Sequence, residues 1–71
     1  MGHVVKTSEN KVKFVNDNDE EIPIEVVVAK MDADVREYVN QNFGRNRFEF
    51  YPVFMEYLKQ HKKKFGKDFE F

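Results

Sequence analysis

The alternation of apolar and polar residues changes period twice along this chain, and the sharpest change falls inside one stretch, Phe48 to Phe65. Arg47-Phe48-Glu49-Phe50 alternates in the manner of a strand. Beyond Tyr51-Pro52, the residues Phe54, Tyr57, Leu58, His61 and Phe65 recur at helical spacing and form one stripe. Pro52 suits the first helical residue, where its missing N–H costs nothing, and Gly66 is a natural C-terminal stop. The stretch holds six of the eleven aromatic residues. It brings more apolar area than any other element, so the sequence marks this helix as the keystone of the core.

Upstream, His3–Thr7 and Lys11–Val15 read as short strands separated by the turn-forming Ser8-Glu9-Asn10. Asn16–Glu20 is a loop. It leads into residues 21–29, where Ile22, Ile24, Val26 and Val28 alternate and predict the strongest strand of the protein. Pro23 cannot donate to a ladder, which makes this an edge strand, with residues 11–15 in the centre of an antiparallel meander. A helix follows, capped by Asp32 or Asp34. Asp34-Val35-Arg36-Glu37 resembles a capping box. Its apolar stripe is Met31, Val35, Tyr38, Val39 and Phe43, Gly44 ends it, and Glu37, Asn40 and Gln41 face away. The final Phe69-Glu70-Phe71 echoes Phe48-Glu49-Phe50, which suggests two short strands joined by a right-handed parallel crossover. The fold class is therefore α+β. A small antiparallel sheet from the N-terminal half carries two helices packed on one face, in a single domain over residues 1–71.

Length bounds the rest. A chain of 71 residues buries only about 60% of its unfolded surface, so its aromatic residues are needed in the core, and a partner or second copy is expected to help complete it. Cysteine is absent, which excludes disulfides and thiolate metal sites and fits a cytoplasmic protein. No apolar run approaches ~18 residues, so no membrane partner is expected. The opening Met1-Gly2-His3-Val4-Val5-Lys6 starts like a myristoylation signal but has Lys where Ser or Thr is required. It also lacks the apolar core of a signal peptide.

Charge is uneven. Residues 1–34 carry four Lys against eight Asp and Glu, whereas residues 35–71 carry eight Lys and Arg against five Asp and Glu. From Arg45 onward the basic residues of the second half are Arg45, Arg47, Lys59, Lys62, Lys63, Lys64 and Lys67. Of these, Arg45, Arg47, Lys59, Lys62, Lys63 and Lys67 form the candidate binding surface, with Phe48, Phe50 and Tyr51 close in sequence. Basic side chains interleaved with aromatic rings suit single-stranded nucleic acid. The competing account is that the rings are core and the lysines complement the helix dipole, and an overall pI near 6.1 favours it.

Signals of catalysis are weak. Asp17, Asp19 and Glu21 alternate as in a calcium loop, yet the sixth position lacks Gly and the twelfth is Val28 instead of Glu. His61 falls inside the apolar stripe, with no carboxylate partner indicated, and reads as a packed histidine. There is no nucleophile elbow and no phosphate-cradling glycine loop. No catalytic, cofactor or metal residue is expected. Two function classes remain: a non-enzymatic protein-interaction module (a small regulator, inhibitor or subunit, paired with another protein or with itself), and a nucleic-acid-binding module using the basic half.

Overall fold

The computed structural model describes residues 2–71; Met1, and with it the very start of the chain, lies outside the described residues. Three strands, β1 (His3–Lys6), β2 (Val12–Val15) and β3 (Glu21–Ile22), precede three helices, α1 (Ile24–Ala29), α2 (Ala33–Phe43) and α3 (Tyr51–Phe65). The strands form an antiparallel sheet in the order β1-β2-β3. This is the α+β meander expected from the sequence, with β2 in the centre. Both hairpin turns are built by side chains that mimic the backbone. Thr7 Oγ1 accepts from Glu9 N and Lys11 N, and Asn16 Oδ1 accepts from Asn18 N and Glu20 N. The acidic loop is thus a tight Asx-type turn.

Register determines which face is buried. Val4 pairs with Phe14, and Phe14 with Ile22, so one row of apolar side chains crosses all three strands and packs on the core. Phe14 meets Phe54 of α3 edge-on, with ring centroids 4.9 Å apart. Residues one step out of phase, among them Val5, Lys13 and Glu21, lie on the solvent face, where Lys13 and Glu21 pair at 3.2 Å.

The long third strand does not form. Residues 24–29 are helical, and only Glu21 and Ile22 stay in the sheet. The cause lies in β2. Continuing β3 would set Ile24 beside Val12, but the Val12 N–H already donates to the Glu49 carbonyl at 2.8 Å, and Tyr51 N–H donates to the Asn10 carbonyl at 2.9 Å. These two bonds make Phe50 an antiparallel bridge to Lys11, so the Phe48–Phe50 run takes the place that β3 vacates. Pro23 then serves as the N-cap of α1, a position where its missing N–H is harmless. The parallel crossover is also absent, since Phe69–Phe71 is not a strand. Those residues instead lay their rings on the core: Phe71 against Phe14 and Phe54, and Phe69 against Tyr57. The Phe71 carbonyl accepts from Gly2 N at 2.8 Å.

The keystone helix behaves as the pattern implies. Phe54 and Tyr57 are fully buried, and Val53 and His61 nearly so, while Phe65 at the end of the stripe is 43% exposed. Pro52 lies in the first turn of α3, and Gly66 ends it in the left-handed region at φ 73°, which favours glycine. On α2, Met31 just before the helix and Val35 and Val39 within it are buried, whereas Tyr38 and Phe43 are about half exposed. Among the described residues no helix is long and apolar enough to cross a membrane.

Candidate binding cleft

Helix α2 has two polar margins, and they differ in kind. Toward α3, Asp32 caps the helix by accepting from Val35 N at 3.1 Å. Its other neighbours are Lys64 Nζ, 2.8 Å from Oδ2, and the buried Tyr57 hydroxyl, which accepts from Asp32 N at 2.8 Å. The hydrogen bond from Lys64, followed by that from Val35 N, holds the Asp32 carboxyl below its usual range. The same bond to Asp32 raises Lys64, and burial raises Tyr57. Donors and acceptors here answer one another, so this cluster is a latch between α2 and α3.

Toward α1 the margin is open. A cleft of about 640 Å³ runs between α1, α2 and the segment 45–49. Ile24, Val28 and Ala29 form the α1 wall, Arg36, Glu37 and Asn40 the α2 wall, and Phe48, only 3% exposed, helps line it. Arg36 Nη1 donates to the Val28 carbonyl at 3.4 Å, where a cation complements the C-terminal end of α1. Arg45 grips Glu37 with both guanidinium nitrogens, at 3.0 and 3.4 Å. Asn40 is different. Its Oδ1 is buried and has no hydrogen-bond partner, a state that buried acceptors rarely keep and that costs about 1–3 kcal/mol. Glu25 and Glu49, also in the lining, are exposed and form no ion pair among the described residues. Apolar Ile24, Val28, Ala29 and Phe48 share the lining with seven polar or charged residues.

No family model, curated protein or solved structure matches this chain.

The basic surface read from the sequence is divided. Arg45 and Arg47 lie in the loop before α3, whereas Lys62, Lys63 and Lys67 lie at or beyond its last turn, separated by the rise of that helix, roughly 20 Å. Several of the cations are engaged: Arg45 by Glu37, Lys62 by Asp68 at 3.6 Å, and Lys64 by Asp32 and Asp34. Lys59, Lys63 and Lys67 are exposed and have no ion pair among the described residues. The rings that would stack on bases are occupied. Phe48 is core, Arg47 and Lys11 lie over Phe50 at 5.8 and 5.9 Å, and Lys6 lies over Tyr51 at 5.0 Å.

His61 is 9% exposed, with Nδ1 3.2 Å from the Lys67 carbonyl and its ring among Tyr57, Phe65 and Phe69. It anchors the turn beyond Gly66. His3 is at the opposite end, 3.4 Å from Asp17 on the exposed sheet face. Among the described residues no group of three His, Cys, Asp or Glu could hold a metal ion.

The cleft escaped the sequence reading for two reasons. The alternation of residues 21–29 predicts a strand where the α1 wall forms, and the helical angles of Glu37 and Asn40 point to solvent. A usable signal was present: Ile24, Val27, Val28 and Met31 stand at i, i+3, i+4 and i+7, a helical stripe in the same residues that also alternate.

Proposed function

We propose that this chain is a non-enzymatic protein-interaction module that receives a segment of a partner protein in the α1–α2 cleft. The observation that carries this reading is the buried, unpartnered Oδ1 of Asn40, a residue that lines the largest concavity among those described. A buried acceptor left without a donor weakens the free protein, and a ligand that supplies the donor recovers that loss on binding. The nucleic-acid alternative has less support. Its cations fall at two ends of α3, several are tied to carboxylates, and its aromatic faces are covered by the protein's own Lys and Arg.

Peptides selected from a random display library on the immobilised chain test the reading. The selected sequences are expected to bind the wild-type chain and to lose most of that binding to Asn40→Leu. Selected peptides that bind both proteins equally would remove the cleft from the account. Binding of a random single-stranded oligonucleotide tighter than about 1 μM at physiological salt would put the nucleic-acid reading first. A second copy of the chain is one candidate partner, and it would appear in sedimentation as a species heavier than 8.6 kDa.

A further inference from the structure

We infer that the occupant of the α1–α2 cleft is a basic side chain, arginine or lysine, presented by the partner segment; this rests on the cleft being the binding site. Four features of the lining support the assignment. First, the buried group lacking a partner is an amide oxygen of a lining residue, which can only accept, so a ligand that reaches it on binding must bring a donor.

Second, the uncommitted charge is negative. Of the two cations in the lining, Arg45 is held by Glu37 and Arg36 is turned to the Val28 carbonyl at the end of α1. Of the three carboxylates, Glu37 is matched, whereas Glu25 and Glu49 form no ion pair among the described residues. A cation entering here meets two carboxylates without displacing an existing pair. An anion would face them in a lining where three carboxylates outnumber two guanidinium groups, one of which is already paired with Glu37.

Third, Ile24, Val28, Ala29 and Phe48 offer an apolar surface for the methylene stem that lysine and arginine carry behind their charged ends. Fourth, the volume of about 640 Å³ exceeds what one side chain needs, leaving room for the adjoining backbone of an extended segment. A wholly apolar residue would fill the wall but leave Asn40 Oδ1 unanswered, and sites built on a polar contact discriminate strongly against ligands that lack it.

The test titrates the full ¹⁵N-labelled chain with three capped peptides, acetyl-Gly-Gly-X-Gly-Gly-amide, where X is arginine, norleucine or glutamate. The arginine peptide should shift the amide signals of Val28, Asn40 and Phe48 and bind about tenfold more tightly than the norleucine peptide, as a charge-assisted bond predicts. Asn40→Leu should reduce the arginine peptide to the norleucine level. The double change Glu25→Gln, Glu49→Gln should weaken it several-fold and remove most of its salt dependence. Glu70→Gln, remote from the cleft in sequence, should leave binding unchanged. Equal or tighter binding of the norleucine or glutamate peptide at the same residues would overturn the charge assignment and leave the cleft standing. Absence of shifts at those residues with all three peptides up to about 10 mM, weaker than ordinary millimolar recognition, would overturn both. The double glutamine variant keeps the proposal open to refutation if Asn40→Leu does not fold.

Discussion

The two margins of α2 show how one helix can be used for structure on one side and for recognition on the other. Along its α3 margin, Asp32, Val35 N, Lys64 and Tyr57 satisfy one another within 2.8 to 3.1 Å. Such a mutually bonded set fixes how two helices meet. Along its α1 margin, Arg36 and Arg45 are anchored but Asn40 Oδ1 is not. The difference is one of completeness, since both margins are polar. A satisfied cluster lowers the energy of the folded chain by itself, while an unsatisfied acceptor lowers it only when something else arrives.

Breaking the closed side should cost stability, in a graded order. Phe54→Ala removes a fully buried ring between the sheet and α3 and should cost about 3–5 kcal/mol, enough to leave a domain this small partly unfolded at 25 °C by circular dichroism. Tyr57→Phe deletes the acceptor for Asp32 N while keeping the ring, and urea denaturation should register a loss of about 1–2 kcal/mol.

Asp32→Ala removes the cap and the Lys64 contact together and should lower the urea midpoint near neutral pH. Its pH dependence has a definite sign. The folded pKa of Asp32 is lowered, so its contribution is complete above the ordinary carboxylate range and is lost as pH falls through the lower folded value. The folded pKa of Lys64 is raised, so its share is complete below the ordinary lysine value and is lost as pH rises through the higher folded value. The stability gap between wild type and Asp32→Ala should therefore be flat around neutrality and shrink below about pH 4. A gap that widens in acid would contradict the latch. Lys63→Ala, exposed on the outer part of α3, should change stability by less than about 0.5 kcal/mol.

The closed side was also the legible side. The spacing of Phe54, Tyr57 and His61, punctuated by Pro52 and Gly66, identifies α3 because each signal is local to the helix. Asp32 could be named as a cap for the same reason. The open side depends on facts that no local window contains. Residues 24–29 satisfy a strand period and a helix period at once, and the choice falls to helix because Glu49 occupies the Val12 N–H from more than thirty positions away. The same occupancy turned the Phe48–Phe50 run into a single bridge. Phe69 and Phe71 were recognisably apolar, but the left-handed turn at Gly66 sends them back over Tyr57 and Phe14 without any strand pairing. Arg45, Arg47 and the α3 lysines share a charge sign in sequence and are parted by the length of a helix in space. Asn40 is the clearest case. Its helical angle pointed away from α3, and only the existence of α1 makes that direction an interior.

The stability of Asn40→Leu tests the contrast between the two margins most directly. Leucine keeps the branched four-atom side-chain skeleton of asparagine, although it is bulkier, has a better helix propensity by a few tenths of a kcal/mol, and removes the unpartnered acceptor altogether. If Oδ1 is kept without a partner for a ligand, the urea midpoint of Asn40→Leu should equal or exceed that of the wild-type chain, with an unchanged denaturant slope. A fall in stability of about 1 kcal/mol or more, the size of a lost internal hydrogen bond, would mean that Asn40 belongs to the structure in the way Asp32 does, and that the α1–α2 cleft is no more than a groove.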